Sequence, residues 1–103
     1  MFICLKELKN KYIENFNLEK SELEFPVKGE LMINKEDIST IEQEEAMVTM
    51  ECLAKKIPEE LWCKFRKPEE RIFPITKVTL KDGRQYFVKE SIEDVQSKLS
   101  EKK

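Results

Sequence analysis

Apolar and polar positions alternate most regularly towards the C-terminal end. Thr76-Lys77-Val78-Thr79-Leu80 predicts a strand, Lys81-Asp82-Gly83 a turn, and Arg84-Gln85-Tyr86-Phe87-Val88 the returning strand. Two registers compete. A two-residue Asp-Gly loop sets Val78 opposite Phe87 and leaves both faces half apolar. A three-residue loop with Gly83 left-handed sets Leu80 opposite Arg84 and Val78 opposite Tyr86. Thr76, Val78, Leu80, Tyr86 and Val88 then share one face, and a slip of one residue would invert that arrangement. The second register segregates the faces better and is the one expected.

Ser91 with Asp94 three residues on has the spacing of a helix N-cap, and the first-turn acids Glu93 and Asp94 suit the helix dipole. Ile92, Val95 and Leu99 form one narrow apolar stripe, which predicts a short helix ending near Leu99 and lying on the sheet, with a frayed basic end from Ser100 to Lys103.

Upstream, Phe2, Cys4 and Leu8 suggest a first strand. Glu30 to Asn34 alternates after a turn expected at Lys28-Gly29. Ile38 and Ile41 mark a third strand, Ile38 to Gln43. Val48, Met50 and Cys52 alternate with polar neighbours and favour a fourth, although Ala46, Met50, Leu53 and Ile57 also fit a helical stripe. After Pro58, the run Glu59 to Phe65 fits either a helix opened by proline or a strand with Leu61, Cys63 and Phe65 inward. Residues 9–29, with Tyr12, Ile13, Phe16 and Leu18 set between charges, are expected to make a helical excursion. The sum is one α+β domain over residues 1–103. It comprises a small antiparallel sheet of about five strands, a C-terminal capping helix, and an inserted segment over approximately 54–74.

Composition narrows the chemistry. The chain has 103 residues, one domain's worth, with 40% hydrophobic and 39% charged residues and no low-complexity run. Nineteen Lys and Arg against 21 Asp and Glu give a net charge of -2, which disfavours a general polyanion binder. The charge is uneven: residues 1–46 carry -5, 47–71 carry +1 and 72–103 carry +2. Glu42, Glu44 and Glu45 form the acidic run, and Lys64, Arg66, Lys67 and Arg71 the basic one. Either can be ordinary solvated surface.

There is no His, so the commonest general base and the commonest zinc ligand are missing. No Gly-rich phosphate loop occurs, and Cys4, Cys52 and Cys63 form no CxxC. An odd, widely spaced cysteine count is expected to mean reduced, unligated thiols in a cytoplasmic protein. The longest apolar run, Met1 to Leu5, is too short to cross a membrane and lacks the basic start of a signal peptide. No cofactor and no enzyme activity are expected.

The frame Met1-Phe2-Ile3-Cys4-Leu5, Leu31-Met32-Ile33-Asn34 and Ile38-Ser39-Thr40-Ile41-Glu42 ends in Val78-Thr79-Leu80-Lys81-Asp82-Gly83-Arg84 and Val88-Lys89-Glu90-Ser91-Ile92-Glu93-Asp94-Val95. It resembles the FlbD-type flagellar motility proteins and related small proteins of bacteria and their phages. The resemblance covers roughly half the chain, and its terminal block is the most specific part. It implies short antiparallel strands closed by a "VKES" helix start, and it carries no established chemistry. Residues 9–29 and 54–74 depart from that frame. The hairpin and helix are also similar to part of LytTR-type DNA-binding domains, without the basic recognition strands that follow there.

Two functional readings stand. In the first, the segment Ile57 to Ile75 makes the chain a non-enzymatic interaction module. It binds a protein partner or a second copy through Trp62, Lys64, Phe65, Arg66, Lys67 and Arg71, residue types common at binding hot spots. Trp62 and Phe65 can equally complete a small core. A phage or mobile-element origin, implied by the resemblance, would make a host protein the partner. In the second, the same basic residues with Arg84 contact nucleic-acid phosphates, with the aromatics as stacking platforms.

Overall fold

The computed structural model describes residues 1–100. The first strand, β1 (Phe2–Leu8), buries Ile3 and Leu5 and turns Phe2 outward, so its phase is opposite to that expected from Phe2 and Cys4. A bulge at its end lets Leu8 enter the core as well. Residues 9–29 form no helix. They give β2 (Tyr12–Ile13) and a small hairpin of β3 (Asn15–Asn17) and β4 (Glu22–Glu24), in which Phe16 opposes Leu23.

Strand β5 (Val27–Asn34) contains Lys28 and Gly29, where a turn was expected, and pairs antiparallel with β1. The chain passes from β5 to the next strand through a 3-10 turn, Lys35–Asp37, capped by the Asn34 carboxamide accepting from Glu36 N–H at 3.1 Å. The two short strands expected at 38–43 and 48–52 are one long strand, β6 (Ile38–Val48), followed by a helix, α1 (Met50–Lys55). The helical stripe prevails because Thr49 caps it, accepting the Cys52 N–H at 3.1 Å, while Cys52 is buried. Past Pro58 the chain runs as 3-10 segments, Glu59–Phe65 and Pro68–Arg71, with a proline opening the second.

Ile72 to Pro74, at the end of the segment 54–74, belong to β7 (Ile72–Leu80), which pairs with β6 along its length. Strand β8 (Gln85–Val88) returns against β7 with Val78 opposite Tyr86, and Gly83 sits at φ 93°. Leu80 N–H donates to Arg84 O at 2.8 Å, closing the three-residue loop. Helix α2 (Ile92–Ser100) follows, its Asp94 N–H held by the Ser91 hydroxyl at 3.3 Å.

The architecture is α+β, with a C-terminal helix on the sheet. The main sheet has six strands in the order β2-β6-β7-β8-β1-β5, and its β2–β6 edge pair is parallel. Strand alternation divides the core between the sheet's two faces. On one, Ile3, Leu5, Ile33, Val78, Leu80 and Val88 pack with Val95 and Leu99 of α2. On the other, Leu8, Ile13, Ala46, Val48 and Ile75 pack with Cys52, Ile57 and Phe65 of the β6–β7 crossing. No helix among the described residues is long and apolar enough to cross a membrane.

Candidate interaction groove

The β6–β7 crossing and the β3–β4 hairpin lie side by side on the second face and leave an open groove of about 420 Å³ between them. Phe16, Leu23, Leu61, Phe65 and Phe73 form its apolar lining, with Ser21, Glu22, Lys64 and Glu70 also lining it. Each aromatic arrives from a different element. Phe16 and Leu23 are a cross-strand pair of the small hairpin. Leu61 and Phe65 come from the first 3-10 segment, and Phe73 from β7, where the Phe25 ring meets it edge-on at 5.9 Å. Ser21 closes the hairpin turn at φ 52°, a left-handed conformation in which a side chain is strained.

Of the six residues singled out by sequence, Lys64 and Phe65 line this groove, and Trp62, Arg66, Lys67 and Arg71 do not. Phe65 is 9% exposed and belongs to the core, so it serves as a wall of the groove. Lys64 reaches the groove, while Arg66 and Lys67 lie exposed at the junction of the two 3-10 segments. Trp62 is 39% exposed and its indole N–H donates to Ile57 O at 2.8 Å, which pins the ring to the turn. Arg71 folds inward: its Nη1 lies 2.9 Å from the Met50 sulfur, and its buried Nε has no hydrogen-bond partner. Arg71 is thus set apart from the exposed Lys64, Arg66 and Lys67.

Sequence reasoning missed Phe16, Leu23 and Leu61 as groove residues, while Phe73 falls in the segment it singled out for binding. A signal existed for two of them in the polar-apolar-polar triplets Asn15-Phe16-Asn17 and Glu22-Leu23-Glu24. The remaining candidate chemistry lies elsewhere. Cys4, Cys52 and Cys63 are free, and burial pushes the Cys52 thiol up from its ordinary value. No group of His, Cys, Asp and Glu among the described residues is arranged to hold a metal ion. In comparisons with known proteins, no family model, no curated protein and no solved structure matches this chain.

Proposed function

We propose that this chain is a non-enzymatic protein-interaction module whose groove receives an apolar side chain from a peptide segment of its partner. One observation carries the reading: five apolar side chains from three separate parts of the chain converge on an open concavity. An exposed apolar hollow with a polar rim is a common form of protein recognition site. Lys64 at the groove, with Arg66 and Lys67 beyond it, favours acidic residues beside the anchor. The FlbD-type resemblance supports extending the proposal to a phage or mobile-element protein that occupies a host protein. The three unpaired cysteines support a cytoplasmic setting, where thiols persist.

The test places a photo-crosslinking amino acid at Leu61 or, as a control, at Gln85 and exposes each protein to extract of the source cell. The expected result is one protein crosslinked from Leu61 and not from Gln85, and lost when Leu23→Glu is added with the urea midpoint unchanged. Equal crosslinking with Leu23→Glu would overturn the reading. Crosslinks to RNA or DNA in its place would favour the nucleic-acid reading.

A further inference from the structure

We infer that the open edge of β5 pairs with β5 of a second copy, antiparallel, about a two-fold axis through Met32. Strand β5 ends the sheet on one side. In the β1–β5 ladder Lys35 N–H donates to Met1 O at 2.9 Å, and Ile33 and Leu31 oppose Ile3 and Leu5 in the same phase. The odd-numbered residues thus direct their backbone groups at β1. Glu30, Met32 and Asn34 direct theirs outward, and among the described residues no hydrogen bond reaches them from that side. The irregularity around Lys28 bends the strand before this stretch, leaving residues 30–34 as the regular open part.

The side chains make this edge complementary to itself. With Met32 opposite Met32 of the second copy, Leu31 faces Ile33 twice on the face that carries α2, and Glu30 faces Asn34 twice on the other. No like charges oppose, and Lys28 of each copy lies towards Glu36 of the other. Moving the axis to Glu30 would oppose two carboxylates, a destabilising arrangement.

Apolar surface beside the edge points the same way. Phe2 and Met32 share the face opposite α2, both 61% exposed, and in the pair they become one strip running across both copies. Helix α2 lies over β7, β6 and β1. Strand β6 also has an open outer side before β2 joins it, but Glu42, Glu44 and Glu45 place like charges along it, which opposes self-pairing there.

Sedimentation over a concentration series reaching about 1 mM protein measures the mass. The expected result is a rise from 12.3 kDa towards twice that value. Met32→Pro removes only an outward N–H, so the β1–β5 ladder survives while the pairing is lost and the protein stays at monomer mass. Met32→Lys sets two ammonium groups against each other at the axis and should act alike without altering the backbone. Hydrogen exchange gives the site: the amides of Glu30, Met32 and Asn34 should slow with concentration, while those of Leu31 and Ile33 should not change. A monomer throughout the series would overturn the inference. So would a dimer that survives both variants, or one whose outward amides stay fast.

Discussion

The backbone N–H of Lys6 donates to both carboxylate oxygens of Glu90, at 3.0 and 3.1 Å. Strands β1 and β8 bridge only where Glu7 meets Val88, with Lys89 N–H donating to Lys6 O at 2.8 Å. Beyond that point the chain leaves the sheet for α2, and side chains take over as hydrogen-bond partners. The Lys98 ammonium donates to Cys4 O at 2.8 Å, and the buried Thr76 hydroxyl donates to Glu90 O at 2.8 Å. The seam is held by side chains where no strand is available, as backbone groups at a sheet gap require partners.

The first prediction concerns this seam. Glu90→Ala should lower stability by about 1–2 kcal/mol, the range for a charge-assisted hydrogen bond at a partly exposed site. Glu90→Gln keeps one acceptor oxygen and should recover part of the loss. Urea midpoints measure both, and the Lys6 amide should exchange faster in the alanine variant. An unchanged Lys6 amide would mean that water replaces the carboxylate without cost.

The two glycines should respond oppositely to alanine. Gly83 holds φ 93°, so Gly83→Ala is strained although open space surrounds its Cβ position, and about 1–2 kcal/mol should be lost. Gly29 is in extended β5 with nothing near its Cβ position. Gly29→Ala should be neutral or stabilise by up to about 1 kcal/mol, because glycine weakens a strand. Thermal melts of the two variants separate these outcomes.

Legibility in the sequence followed how local the determining contacts are. The Val78–Tyr86 register, Gly83 and the Ser91 cap lie within a few residues of the features that dictate them, and side-chain phase alone selects the register. Strand β6 was legible only as far as Gln43, because Glu42 to Glu45 are polar on both faces. What makes them a strand is pairing with β7 about thirty residues away, supported by Lys77 lying 3.7 and 3.8 Å from the Glu42 and Glu44 carboxylates. The parallel Tyr12–Met47 pairing of β2 has no local signature at all. The groove was half legible: Lys64 and Phe65 were found, but Phe16 and Leu23 reach it only through the fold.

Trp62 and Phe65, neighbours on one 3-10 segment, should differ in their effect on stability. Phe65→Ala should cost about 3–5 kcal/mol, as for a buried aromatic. Trp62, more than a third exposed, should cost about 1–2 kcal/mol through the lost bond to Ile57 O and partial burial. Arg66→Glu should change stability by less than about 0.5 kcal/mol as an exposed substitution. Arg71→Glu should cost more, because it sets a carboxylate where the guanidinium packs against Met50. Equal urea midpoints for the two arginine variants would contradict the placement of Arg71.

The helix caps offer a paired measurement. Thr49 and Ser91 each accept a hydrogen bond from the backbone N–H three residues on, Cys52 and Asp94 respectively. Thr49→Ala and Ser91→Ala should each cost about 1 kcal/mol. Because the sites lie on separate elements, the double variant should show the sum. A double variant no worse than either single one would show that one cap is not formed.

The last prediction is a pH dependence in the β7–β8 turn. The Arg84 backbone N–H donates to Asp82 at 3.0 Å and the Arg84 Nε at 2.7 Å. The backbone bond first, then the guanidinium, hold the Asp82 carboxyl below its ordinary value. A carboxylate with a depressed folded value stabilises the fold above its unfolded pKa of about 3.9, and that contribution is lost as pH falls through the folded value. Both groups are solvent-exposed, so the effect should be modest and should shrink further in about 1 M salt, where screening is short-ranged. Asp82→Asn keeps an oxygen that can accept from the Arg84 N–H but removes the charge. Wild type should therefore exceed Asp82→Asn in urea midpoint at pH 7, and the gap should close as pH falls below the ordinary carboxylate range. A gap that stays constant into acid would show that the difference between the two side chains does not come from the charge.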